Sequence, residues 1–218
     1  VDAEKPAELL NYLARRRGLL TSNVGEAAAF LRTNGDLPAP DIELIFGPVP
    51  YIDHGQIEEP PGHGFALAPI LLQHGSVGSV RLASRDPSAA PLIDPAYFTD
   101  PEDRVTMRAG LRRAMELLDV QPLASLAGDP IEAPAGDDDD AIDEFLDAQC
   151  ETLYHPVGTC AMGPQADAVV DLELKVRGVE GLRVADASVM PGLNRGHTHA
   201  PAVMIGERAA VLIRSGTA

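Results

Sequence analysis

The chain is short of cations, of cysteine and of long apolar runs, and each shortage removes a class of function. Seventeen Lys and Arg stand against 33 Asp and Glu in 218 residues, a formal net charge of −16. Phosphate groups would be repelled by such a surface, which argues against nucleic acid or an anionic membrane as a partner; the acidity is most simply a solubility feature. Cys150 and Cys160 are too few to staple a chain of this length, and their spacing is not that of a metal pair. A reducing cytoplasm is therefore the default location. No apolar run approaches the roughly 20 residues that span a bilayer. The opening VDAEKPAELL lacks the cationic start and apolar stretch of a secretory signal.

Several motifs are missing as well. Gly75-Ser76-Val77-Gly78 is not the G-x-S-x-G elbow of serine hydrolases. The four aspartates 137–140 lack the alternation and the glycine of a calcium loop. No strand runs into a G-x-G-x-x-G turn of the kind that lets backbone approach a dinucleotide; the nearest string, Gly62-His63-Gly64, lacks the third glycine and precedes no helical pattern. No internal repeat is visible.

What is present suffices for one core, or for one domain and part of another, since 45% of the residues are hydrophobic. Pro6 opens a helix with Leu9, Tyr12 and Leu13 on one face, closing at Gly18 after three arginines. Short apolar runs at 24–32, 42–46, 65–72 and 79–83, divided by Gly, Pro and Asp, read as an antiparallel sheet. Asp100 caps and Pro101 starts a helix whose Met107, Leu111, Ala114 and Leu118 recur at helical spacing, so that it should lie on the sheet. Residues 128–140 form a linker whose aspartates sit at the N-terminus of the next helix, marked by Ile142, Phe145, Leu146 and Cys150. Near the end, 182–185 reads as a strand, and Pro201 begins a helix with Ile205, Ala209, Leu212 and Ile213 on its apolar face.

Three of the six histidines lie on two turns, Tyr154-His155-Pro156-Val157-Gly158-Thr159-Cys160-Ala161-Met162-Gly163 and Asn194-Arg195-Gly196-His197-Thr198-His199-Ala200-Pro201. A lone histidine beside proline is usually a turn residue satisfied by a carbonyl. Two converging on one cleft would instead suggest acid/base chemistry near neutral pH. His155, His197 and His199 could alternatively form a three-histidine zinc site of the hydrolytic kind, although no carboxylate sits at a spacing suited to orient the ligands.

These two turns, with the sequence from Gly181 to Ile213, resemble the C-terminal signature of the glucose-methanol-choline (GMC) flavoprotein oxidoreductases. The resemblance extends upstream through Arg17-Gly18-Leu19-Leu20-Thr21-Ser22, Phe30-Leu31-Arg32-Thr33, Gly78-Ser79-Val80-Arg81-Leu82-Ala83-Ser84, Ile93-Asp94-Pro95-Ala96-Tyr97 and Asp100-Pro101-Glu102-Asp103. His74-Gly75-Ser76-Val77 departs from it, standing where relatives commonly read Pro-x-Ser-Arg. The wording is closer to the bacterial choline and alcohol dehydrogenase branch than to fungal sugar oxidases.

The resemblance implies an α+β fold: an antiparallel sheet with helices packed on one side, plus a C-terminal strand and helix that would complete a FAD-binding domain. Residues 1–150 would be the substrate-binding domain. Residues 151–218 would carry the histidine motif and the last segment of the FAD-binding domain, whose N-terminal part is missing. His155 is implied as catalytic base and His197 as its partner in the oxidation of a primary alcohol to an aldehyde. Asp186 and Ala187, with His199, Pro201 and Ala202, are implied beside FAD. On this reading FAD belongs to the longer protein, and the isolated chain would hold it weakly or not at all, acting only as a substrate-binding domain. A hydroxynitrile lyase on the same fold would keep the same histidines.

Overall fold

The computed structural model describes residues 5–52, 54 and 62–216, and the fold mixes helices with small antiparallel sheets. Helix α1, Pro6–Arg15, begins at its proline and ends at Arg16 in the left-handed conformation, but it buries none of its residues. Its Leu9 and Leu13 face solvent.

Strands β1 (Ala27–Leu31), β2 (Ile42–Gly47) and β3 (Ala66–Leu71) form one antiparallel sheet with β2 central. The first strand is shorter than its apolar run because Val24 turns into the left-handed region just before it, at φ 69°. Strands β4 (Ser79–Arg81) and β5 (Leu92–Asp94) make a separate two-stranded sheet. The run at 79–83 therefore does not join the first sheet, and its ladder depends on Leu92–Asp94, a segment too short to stand out in the sequence.

Helix α2, Pro101–Leu118, starts as expected, with the Asp100 carboxylate accepting from the Glu102 N–H at 3.0 Å. Its Met107, Leu111 and Ala114 pack with Ile42 and Leu44 of the sheet and with Ile142 and Leu146 of α3, Asp139–Gln149. Asp138 caps α3 through the Ala141 N–H at 3.0 Å. The linker aspartates do more than meet solvent. Asp139 pairs with Arg108 and Arg112, and Asp143 and Asp147 pair with Arg108 and Arg104 respectively, which joins α3 to α2.

Helix α4, His199–Arg214, starts two residues before Pro201, which a proline in the first turn permits because its N–H would have no helical partner there. Ile205, Ala209 and Leu212 are buried, whereas Ile213 is 61% exposed. They close a second cluster with Val170, Leu174, Val189 and Met190. The strand expected at 182–185 is an extended segment with a single bridge, Lys175 to Arg183, because no longer partner run lies beside it to form a ladder.

Candidate active site

Alternation along β2 decides which face of the sheet carries chemistry. Ile42 and Leu44 point toward α2, so Glu43 and Ile45 point the other way. Glu43 is only 1% exposed, an unusual place for a carboxylate unless something answers its charge. One oxygen, Oε1, lies 3.2 Å from His197 Nε2. The other, Oε2, is buried with no hydrogen-bond partner, as is Asn194 Oδ1.

His197 reaches this carboxylate because its loop is tied to the sheet half and to itself at three points. Gln73 donates to the Leu193 carbonyl at 2.8 Å, Arg195 donates to the Pro40 carbonyl, and Asn194 donates to the His197 carbonyl at 3.2 Å. His155 arrives on the loop that follows α3. Tyr154 adopts φ 61°, a left-handed turn that redirects the chain at His155, and Gly158 at φ 85° turns it again. The motif is then anchored by the Cys160 N–H to the Ser188 carbonyl at 2.9 Å and the Met162 N–H to the Val189 carbonyl at 2.8 Å.

The two imidazoles meet edge to face, with ring centres 5.0 Å apart and planes at 88°. Partial burial lowers the basicity of His155, and the neighbouring His197 lowers it further, against a smaller opposing pull from Glu43. Its ring therefore stays neutral, and able to accept a proton, below the pH at which a free histidine would be protonated. His155, His197, Glu43 and Asn194 all line one open cleft of about 2190 Å³.

The other sequence-derived positions lie away from this cleft lining. Asp186 caps the short 3₁₀ turn Ala187–Val189, its carboxylate accepting from the Ser188 N–H at 2.8 Å, and Ala187 packs on the second cluster. His199, Pro201 and Ala202 occupy the first turn of α4, where Thr198 supplies no side-chain cap. Pro201 has no N–H and the Ala202 N–H bonds the Thr198 carbonyl at 2.9 Å, so the donors that could face an anionic group at this end of α4 are the N–H groups of His199 and Ala200. Among the described residues no group of three or more His, Cys, Asp or Glu side chains is arranged to hold a metal ion.

Sequence reasoning missed Glu43, whose burial shows only once the register of β2 is known. It also missed a second cluster beside His155. Here the Tyr154 hydroxyl bonds His54 Nδ1, His54 Nε2 lies 3.0 Å from Glu151, and the Tyr51 hydroxyl is 3.4 Å from that of Tyr154.

Residues 74–206 match the C-terminal domain of the GMC oxidoreductase family, and the chain belongs to that family. It is 52% identical to an uncharacterised GMC-type oxidoreductase of Mycobacterium tuberculosis, covering 98% of this chain and 41% of that protein. It is 40% identical to the alcohol dehydrogenase [acceptor] of Pseudomonas putida, over 94% of this chain and 37% of that protein. Among solved structures, a formate oxidase of Aspergillus oryzae studied for its FAD modification superposes with a TM-score of 0.84 at 26% identity, over 97% of this chain and 41% of that one. The chain thus spans about two fifths of the length of these relatives. No helix among its described residues is long and apolar enough to cross a membrane.

Proposed function

We propose that this chain is the proton-handling part of a longer FAD-dependent oxidoreductase that oxidises a primary alcohol to an aldehyde. The observation that carries the reading is His155 set edge to face against His197, whose far side meets a buried carboxylate. An alcohol must lose its hydroxyl proton and a hydride from the carbon that bears the hydroxyl. FAD, when bound, supplies the redox chemistry by taking the hydride.

His155 takes the proton, general-base catalysis for which a neutral imidazole is suited. Glu43 orients His197 through Nε2, leaving Nδ1 as the ring's remaining polar atom for the substrate oxygen. With both of its ring nitrogens protonated, His197 donates from Nδ1–H and stabilises the charge that develops as the proton leaves. The backbone at Asp186 and Ala187 and the first turn of α4 at His199, Pro201 and Ala202 are the positions that would hold the cofactor. Residues 1–150 form the substrate side and 151–218 complete the FAD side.

The test is an anaerobic mixture of the full-length protein with a primary alcohol. Loss of flavin absorbance between about 350 and 500 nm together with stoichiometric aldehyde supports the reading. Release of aldehyde and cyanide from a hydroxynitrile with no flavin reduction by any alcohol would replace it with the lyase.

A further inference from the structure

The face of the sheet that carries Glu43 continues, in register, as an uncharged apolar platform. Ile45 is the next residue of β2 on that face, with Ala28 of β1 and Ala68 of β3 directly opposite it. Glu43 itself is flanked by Phe30 and Ile70. Ala28 and Ala68 are exposed and Phe30 is 47% exposed, so this floor is open rather than filled. From Glu43 to Gly47 it runs about 13 Å at roughly 3.3 Å per residue. It stops where the Val24 backbone lies over Gly47, whose Cβ would meet the Val24 carbonyl at 3.3 Å.

Charge narrows the choice of occupant. Among the described residues no Lys or Arg lines the cleft, so no guanidinium or ammonium group there pairs with an anionic substrate. Three of the carboxylates that line it have partners near the histidines or the sheet edge. Glu43 faces His197, Glu151 pairs with His54, and Asp103 accepts from the Gly75 and Ser76 N–H groups. The Ala28, Ile45 and Ala68 row itself carries no charged side chain, so an alkyl group meets apolar surface along it.

We infer that the substrate is a neutral aliphatic primary alcohol whose chain lies along the Ala28–Ile45–Ala68 row with its hydroxyl at the histidine pair. This rests on the alcohol-oxidising reading above and specifies its substrate class. The experiment is a series of 1-alkanols from ethanol to 1-octanol, with choline and glycolate as charged alternatives, assayed on the full-length enzyme. Each methylene laid on the floor raises kcat/KM by up to about fourfold, the equivalent of about 0.8 kcal/mol per buried CH₂. Choline and glycolate fall at least tenfold below 1-hexanol.

Ala68→Phe, which blocks the row, then raises KM for 1-octanol at least tenfold while leaving ethanol within about threefold. A flat response to chain length would mean that the platform is covered by another part of the longer protein, and would overturn the inference. Preference for choline or glycolate would overturn it too, while leaving alcohol oxidation intact. Failure of every alcohol to reduce the flavin would remove the alcohol-oxidising reading itself.

Discussion

Residues 27–149 and residues 152–214 bury apolar side chains by different means. In the first region a sheet and two long helices lock together around Ile42 and Ile142, both fully buried. In the second, a single long helix closes over loops whose order comes from turn hydrogen bonds and isolated bridges. The sheet region supplies a fixed carboxylate and a flat floor. The loop region supplies the two imidazoles, and it is precise only where it is fastened to the sheet by Gln73 and Arg195 or to itself at Ser188 and Val189. Acid/base geometry therefore comes from docking loops onto a rigid surface, a common division of labour between scaffold and site.

The comparison predicts a ranking of effects. Ile142→Ala, in the tighter region, removes about 2–5 kcal/mol of stability in urea unfolding of the full-length protein, because neighbouring helices cannot collapse into the cavity. If the two regions are energetically separate, the second cluster should report its own transition in the same experiment. Glu43→Gln keeps the shape of the side chain but removes the charge facing His197. A charged hydrogen bond of about 1.5–3 kcal/mol is then lost, and flavin reduction should slow by about 10–100-fold with the fold unchanged by circular dichroism.

Asn194→Ala removes only the bond to the His197 carbonyl and should slow reduction by about fivefold, the effect of about 1 kcal/mol. An unchanged rate would show that the loop is positioned by Gln73 and Arg195 alone. The smallest effect concerns Asp143. Its carboxyl is held below the usual range chiefly by the Arg108 hydrogen bond, so its contribution to stability is present above the ordinary carboxylate pKa and is lost as pH falls through the lowered value. Asp143→Asn should flatten the loss of stability on acidification without changing activity at neutral pH.

The sheet-and-helix half was legible because its signals are local and periodic. Asp100-Pro101 announces α2, Met107, Leu111 and Ala114 repeat at helical spacing, and Asp138 caps α3 as the aspartate run suggested. The motif histidines were legible too, because His155 and His197 sit on distinctive turns and do converge. What was hidden depends on pairing at a distance. Glu43 looks like an ordinary strand residue until Ile42 and Leu44 are seen to face the helices. The β4–β5 ladder needs three residues from a segment too short to announce itself. The arginines of α2 reveal their role only when Asp139, Asp143 and Asp147 come round on α3. At 182–185 local β-propensity found no ladder partner, and a bridge to Lys175 was all that could form.

The central claim is that His155 accepts the hydroxyl proton. It is tested most directly by the rate of anaerobic flavin reduction by 1-hexanol in full-length His155→Ala, measured across pH beside the unaltered enzyme. Because burial and His197 keep His155 neutral, the acid limb of the unaltered enzyme should fall below the ordinary histidine value of 6.5. In His155→Ala the rate should drop by about 10²–10⁴-fold, that limb should vanish, added imidazole should restore part of the rate, and FAD should remain bound. A variant that reduces its flavin at the original rate and with the original pH profile would contradict the assignment.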